Sequence, residues 1–270
     1  MQHTSVQIVL SGGGARGLAH LGVIKWLCDH GYKICAVSGS SAGALMGLLV
    51  CSGIPIDDII DIVCSVRLRD LVNIDLSMSG CMRLDKLEEV MKKHIVYRDL
   101  ADLPIPLYVS TTDLKSGHNI IYQQGKIMSI IKASCSIPFS FKAVCYGRRI
   151  LVDGGVTNNF PVEPFLEGYD CTQTDPDHVA SLHRGRGRSL LIGVDVNPYK
   201  HLQKNSLPHI IPRSITLLIQ QSYMLKKHFC DYYLQPQKLQ DISIFQTHDY
   251  QHIIDIGYNT AENQWGSVLG

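Results

Sequence analysis

Charge is scarce in this chain and evenly split. Asp, Glu, Lys and Arg make up 18% of its 270 residues, the formal net charge is +1, and no Lys/Arg run exceeds two residues. Nucleic acid as the main partner normally leaves a basic footprint, so that class is excluded, while local basic patches still suffice to meet an anionic membrane surface. The nine cysteines are odd in number and form no C-x-x-C pair, which reads as reduced thiols rather than a disulfide framework. No His/Cys/Asp/Glu cluster has ligand spacing, so neither a metal nor another cofactor is expected. A basic leader with an apolar stretch and cleavage site is absent, and the apolar run after Gly43 is broken by Ser52, Gly53 and Pro55. The expectation is a cytoplasmic protein that meets membranes only at their surface. Repeats and low-complexity segments are also missing. What is plentiful is apolar residues, at 45%, enough for a sizeable core.

Two glycine-marked turns stand out. Gly12-Gly13-Gly14-Ala15-Arg16-Gly17 follows the apolar run 6–10, and Gly39-Ser40-Ser41-Ala42-Gly43 follows the run 34–37. Helical patterns over 19–30 and 44–51 come after them, giving a strand–turn–helix–strand–turn–helix order. That order predicts parallel neighbouring strands with both turns at their carboxyl ends, where open α/β sheets put their sites. Further helices are expected over 57–71, 84–94, 127–134 and 215–228, and further strands over 107–112, 149–152 and 190–196. Residues 168–188 read as an exposed polar loop.

The first turn also fits G-x-G-x-x-G, but the second strand ends in Ser38-Gly39 rather than the acidic residue that would hold a ribose, and no Gly-Lys-Ser/Thr closes the turn. Its exposed N–H groups suit a developing oxyanion instead. In the second turn only Ser41 has glycines two before and two after it, the register of a nucleophile elbow. Ser38 and Ser40 then read as serines bonding local backbone. None of the 12 histidines occupies a glycine-flanked strand end, and His20 reads as helix surface near the first turn. The remaining candidate base is Asp153, which ends an apolar strand and precedes Gly154-Gly155. By itself it would read equally well as a turn aspartate. Beside the two glycine turns it reads as catalytic.

These blocks, with Ala133-Ser134-Cys135-Ser136-Ile137-Pro138 and Val152–Pro161, make the chain resemble the patatin-like phospholipase family, specifically its compact bacterial-type members, over roughly residues 6–196. The resemblance implies an α/β fold of three layers, α/β/α, around a mainly parallel sheet. Residues 1–200 would form the catalytic domain, and 201–270 a helical region packed on it. It also implies a lipid acyl hydrolase working without histidine, metal or cofactor on a phospholipid or lysophospholipid. Ser41 would be the nucleophile and Asp153 the base. The N–H groups of Gly12, Gly13 and Gly14 would form the oxyanion hole, with Arg16 ordering the turn or adding positive potential, and Gly17, Gly39, Gly43, Gly154 and Gly155 in support. A neutral-lipid lipase, esterase or acyltransferase with the same pair, or an idle lipid-binding regulator, are the other readings. Transient membrane contact is expected through 66–82 and 184–188.

Overall fold

The computed structural model describes residues 4–66, 73–74, 82–170, 182–183, 189–199, 225–244, 246 and 248–269, with positions 206, 210, 214, 217 and 220 between. All of 184–188 and most of 66–82, 168–188 and 215–228 lie outside the described residues.

In chain order the main elements are β1 (Ser5–Leu10), α1 (Ala19–Asp29), β2 (Lys33–Ser40), α2 (Ala42–Cys51) and α3 (Ile56–Ser65). A short pair, β3 (Asn73–Ile74) and β4 (Met82–Arg83), precedes α4 (Asp85–Met91). There follow β5 (Leu107–Asp113), β6 (Asn119–Tyr122), α5 (Ile127–Ser134), β7 (Val144–Tyr146) and β8 (Arg149–Asp153). The chain closes with β9 (Leu190–Val194), β10 (Tyr232–Leu234) and α6 (Tyr250–Trp265). The sheet runs β10-β9-β1-β2-β5-β8-β7, with β6 also on β5. From β10 to β5 every pairing is parallel, and β6, β7 and β8 form an antiparallel margin.

Alternation along the strands separates the two faces. Ile8, Leu10, Ile192 and Val194 point to the larger core, beneath α1, α2 and α5. Val9 and Leu191 point to a second cluster, where Phe160, Val162, Phe165 and Leu166 cover the opposite face. The result is a layered α/β fold on a mainly parallel sheet.

Several boundaries differ from those read in the sequence, such as the helix read over 84–94, which ends at Met91, and the strand read over 190–196, which ends at Val194. β2 continues to Ser40 because Ser38, Gly39 and Ser40 pair with Tyr108, Val109 and Ser110 on β5, so the ladder overrides the weak strand preference of Ser and Gly. The helix expected to reach 71 stops at Ser65, and Val66 is already extended. The C-terminal region supplies a strand to the sheet as well as α6, which packs along α1.

Candidate functional site

The site is assembled by register. Leu10 pairs with Gly39, so the turns after β1 and β2 emerge side by side. On the other side of β2, Ser40 pairs with Ser110, and the next residue of β5, Thr111, pairs with Asp153. β8 runs antiparallel to β5, so Asp153 reaches the level of Ser41 from the opposite direction.

Ser41 occupies the corner between β2 and α2 with φ 52 and ψ −123, a conformation rarely adopted outside glycine. The surroundings hold it there. A Cβ on Gly39 would fall 2.6 Å from the Gly43 carbonyl carbon, and one on Gly43 would fall 2.7 Å from the Ser11 oxygen. These close approaches explain the glycine spacing. The Ser41 N–H donates to Ser134 Oγ at 2.9 Å, and that hydroxyl donates onward to the Ser110 carbonyl at 2.7 Å. The neighbouring serines do not bond nearby backbone as expected. Ser38 donates to the distant Pro161 carbonyl, and Ser40 Oγ is buried without a partner among the described residues, because β2 carries both into the sheet interior.

Asp153 is buried, and the Ser41 hydroxyl is near enough to favour its charged form. Its Oδ1 accepts from the Gly155 N–H at 2.7 Å, capping the turn that begins at Gly154. A Cβ on Gly154 would lie 2.5 Å from the Ser110 oxygen, so that turn presses directly on β5. Burial pushes the Asp153 carboxyl up to about 6, against the opposing pull of the Ser41 and Gly155 hydrogen bonds. A carboxylate that desolvated is a far better proton acceptor than one in water.

In the first turn the groups divide their work. The Gly12 N–H, expected among the oxyanion donors, is held by the Asn159 carbonyl at 3.3 Å. Among the described residues the N–H groups of Gly13 and Gly14 have no acceptor. Gly14 has φ 57, and the next residue, Ala15, donates to the Ile244 carbonyl at 2.9 Å. The Arg16 side chain is turned toward the C-terminal region. Its Nε donates to the Ile242 carbonyl at 2.7 Å, with Asp195 and Asp241 nearby, so it orders the turn from behind. Gly17 allows the turn to lie against α2, where an added Cβ would be 2.5 Å from that of Ala42.

His20 corrects the surface reading outright. It is fully buried, its Nε2 bonds the Ser11 carbonyl at 2.8 Å, and burial depresses it to about 4. α1 is covered on both sides, by the sheet and by α6, which periodicity within α1 alone does not announce. Ser134, Asn159 and Asn197 also join the site. Ser134 and Asn159 lie inside conspicuous sequence blocks, whereas Asn197 has only the pattern Asp-x-Asn after a buried strand. Among the described residues no three metal-ligating side chains converge, and no helix is long and apolar enough to cross a membrane.

Comparison with known proteins matches a family model described as patatin-like phospholipase to residues 8–166. An uncharacterised NTE family protein of Mycobacterium tuberculosis is 32% identical over 162 residues, covering 59% of this chain and 45% of that protein. The neuropathy target esterase sws of Drosophila melanogaster is 26% identical over 98% of this chain and 20% of its own length. The chain therefore spans less than half the length of these curated relatives. Among solved structures, VipD from Legionella pneumophila superposes with a TM-score of 0.60 at 16% identity, covering 99% of this chain and 67% of that one, a likeness of fold.

Proposed function

Since this chain belongs to the patatin-like phospholipase family, we propose that it is a serine acyl hydrolase cleaving fatty-acyl esters of phospholipids or lysophospholipids. The observation that carries the reading is the pairing of Ser41, held in a strained corner, with a nearby buried Asp153 whose carboxyl burial pushes up to about 6. In the first step Ser41 Oγ attacks the acyl carbon while Asp153 takes its proton. The carbonyl electron pair moves onto oxygen, which the N–H groups of Gly13 and Gly14 receive. Collapse of the tetrahedral species expels the lipid alcohol, which leaves with the proton from Asp153. Water then attacks the acyl-serine, Asp153 accepting and returning one proton, and the fatty acid departs. A lost oxyanion donor costs about 3 kcal/mol in related acyl transfer, so the glycine turn carries a large share of the rate.

The lipid would approach from the side where the three walls of the site expose apolar side chains. Phe139 follows the Ser136 segment bonded to Asp153, Val156 follows Gly155, and Ile244 adjoins Gly14. A fluorophosphonate tests the assignment. It is expected to label Ser41, as read by peptide mass, and Ser41→Ala is expected to abolish both labelling and release of fatty acid from a phospholipid panel, while Ser40→Ala keeps most turnover. Full turnover in Ser41→Ala would overturn the reading. Activity is expected to survive excess chelator, and loss that calcium restores would count against this mechanism.

A further inference from the structure

The Gly12–Gly13 peptide is gripped by its carbonyl. Asn197 Nδ2 donates to the Gly12 oxygen at 2.6 Å, and Asn159 Nδ2 approaches the same oxygen at 3.4 Å. Asn197 is itself fixed from several directions. Its backbone N–H and its Nδ2 both donate to Asp195 Oδ1, at 2.9 and 3.2 Å, and Nδ2 lies 3.4 Å from Ser11 Oγ. Its carbonyl accepts from Gln220 at 2.8 Å and Gln235 at 3.2 Å. The second carboxylate oxygen of Asp195 accepts from Tyr233 and Gln235, at 2.9 and 2.7 Å. The amide cannot be reversed without setting its oxygen against a carboxylate and a carbonyl.

A trans peptide points its C=O and N–H in opposite directions. Holding the Gly12 oxygen against Asn197 therefore sends the Gly13 N–H the other way, where among the described residues it meets no acceptor. The turn also lies flat on this support, since a Cβ on Gly13 would be 2.5 Å from Val196 Cγ2. We propose that Asn197 is a positioning residue for acyl transfer, fixing the Gly12–Gly13 peptide so that the Gly13 N–H faces the developing oxyanion. The proposal rests on the hydrolase reading above. It concerns a residue beyond the segment that the family model matches, which ends at 166. Were that peptide free to rotate, it would present a carbonyl oxygen to the oxyanion for part of the time, and the benefit of a preorganised dipole would be lost.

Asn197→Ala removes the grip. Asn197→Leu, close to asparagine in volume, fills the space without a donor or a new charge and guards against a cavity-driven folding failure of the first variant. Each is compared with the wild type on a soluble p-nitrophenyl ester, with active sites counted by fluorophosphonate titration. The expected result is kcat per titrated site lowered about 10- to 100-fold, with KM within about threefold, as for the loss of a supporting contact. The midpoint of the pH–rate profile stays where Asp153 puts it. A structural role alone would reduce the number of titratable sites and leave kcat per site intact, and that outcome overturns the proposal. In the unmutated protein, the Gly13 amide proton resonance is expected to move downfield when Ser41 is phosphonylated, and an unmoved resonance would overturn it too. Failure of the hydrolase reading looks different, because the wild type would then show no turnover and no label at Ser41, or Ser41→Ala and Asp153→Asn would remain active.

Discussion

Asp153 and His20 are both enclosed, and burial favours the neutral form of each, which gives them opposite effects on stability as pH falls. The Asp153 carboxyl is raised from 3.8 to about 6, so between those values the folded state binds more protons than the unfolded one. Its contribution is full below the unfolded value and is lost as pH rises through about 6. His20 is lowered from 6.5 to about 4, so in that window the unfolded state binds more protons and stability is lost as pH falls. The two windows overlap and partly cancel. Urea titrations of Asp153→Asn from pH 7 to 4 are therefore expected to fall more steeply in midpoint than the wild type, and those of His20→Gln less steeply. Parallel curves for all three proteins would show that neither group titrates as its burial requires. The same carboxyl sets the rate. With Asp153 as base, kcat/KM on a soluble ester is expected to fall tenfold per pH unit below about 6, and Asp153→Asn to lose activity by orders of magnitude while staying folded. A rate unchanged down to pH 4.5 would remove Asp153 from that role.

Between elements, α1 and α6 approach closely. Gly22 faces the Ile254–Tyr258 backbone and Gly257 faces the Ala19 backbone, so each helix uses a glycine to admit the other's main chain. Trp26 completes the contact, donating to Glu262 at 2.6 Å and packing against Trp265. Gly257→Val would force its side chain into the α1 backbone, and we expect a loss of about 1–3 kcal/mol in urea unfolding, the usual range for overpacking. A midpoint equal to that of the wild type would mean that α6 is free to shift. This pair also shows where sequence reading reaches its limit. The helix read over 19–30, the two glycine turns and the parallel pairing of the first two strands were legible because glycine spacing and apolar periodicity are local signals. The burial of His20 was not, because it depends on a helix 230 residues further along the chain covering the other side of α1. Ser41 stood out through its flanking glycines and Asp153 through the turn after it. The grip of Asn197 on Gly12 was invisible, since an asparagine after a strand looks like any turn residue until β9 is seen pairing with β1.

At the scale of the molecule, a chain with net charge +1 has little long-range pull toward any membrane, so the lipid contact proposed for it would rest on short-range apolar side chains. Phe139 is 93% exposed and takes φ 68, a backbone region that costs a bulky residue about 1–3 kcal/mol. The segment leading to it is anchored by the Asp153 N–H, which donates to the Ser136 carbonyl at 3.0 Å, three residues before Phe139. Val156, which follows Gly155, and Ile244, against Gly14, add exposed apolar area on segments next to the proposed site, and burying a Phe side chain in lipid would contribute roughly 1.5–3 kcal/mol. Phe139→Ser removes that area without touching the proposed chemistry. Its expected signature is a split between substrates. Co-sedimentation of the Ser41→Ala, Phe139→Ser protein with phosphatidylcholine vesicles should weaken about tenfold or more relative to Ser41→Ala alone. Phe139→Ser itself should hydrolyse a soluble short-chain ester at the wild-type rate and vesicle phospholipid more slowly. Added salt should change vesicle binding little, because the contact is apolar and salt screens only charge. Undiminished vesicle binding in the double variant would show that the lipid surface meets some other part of the chain.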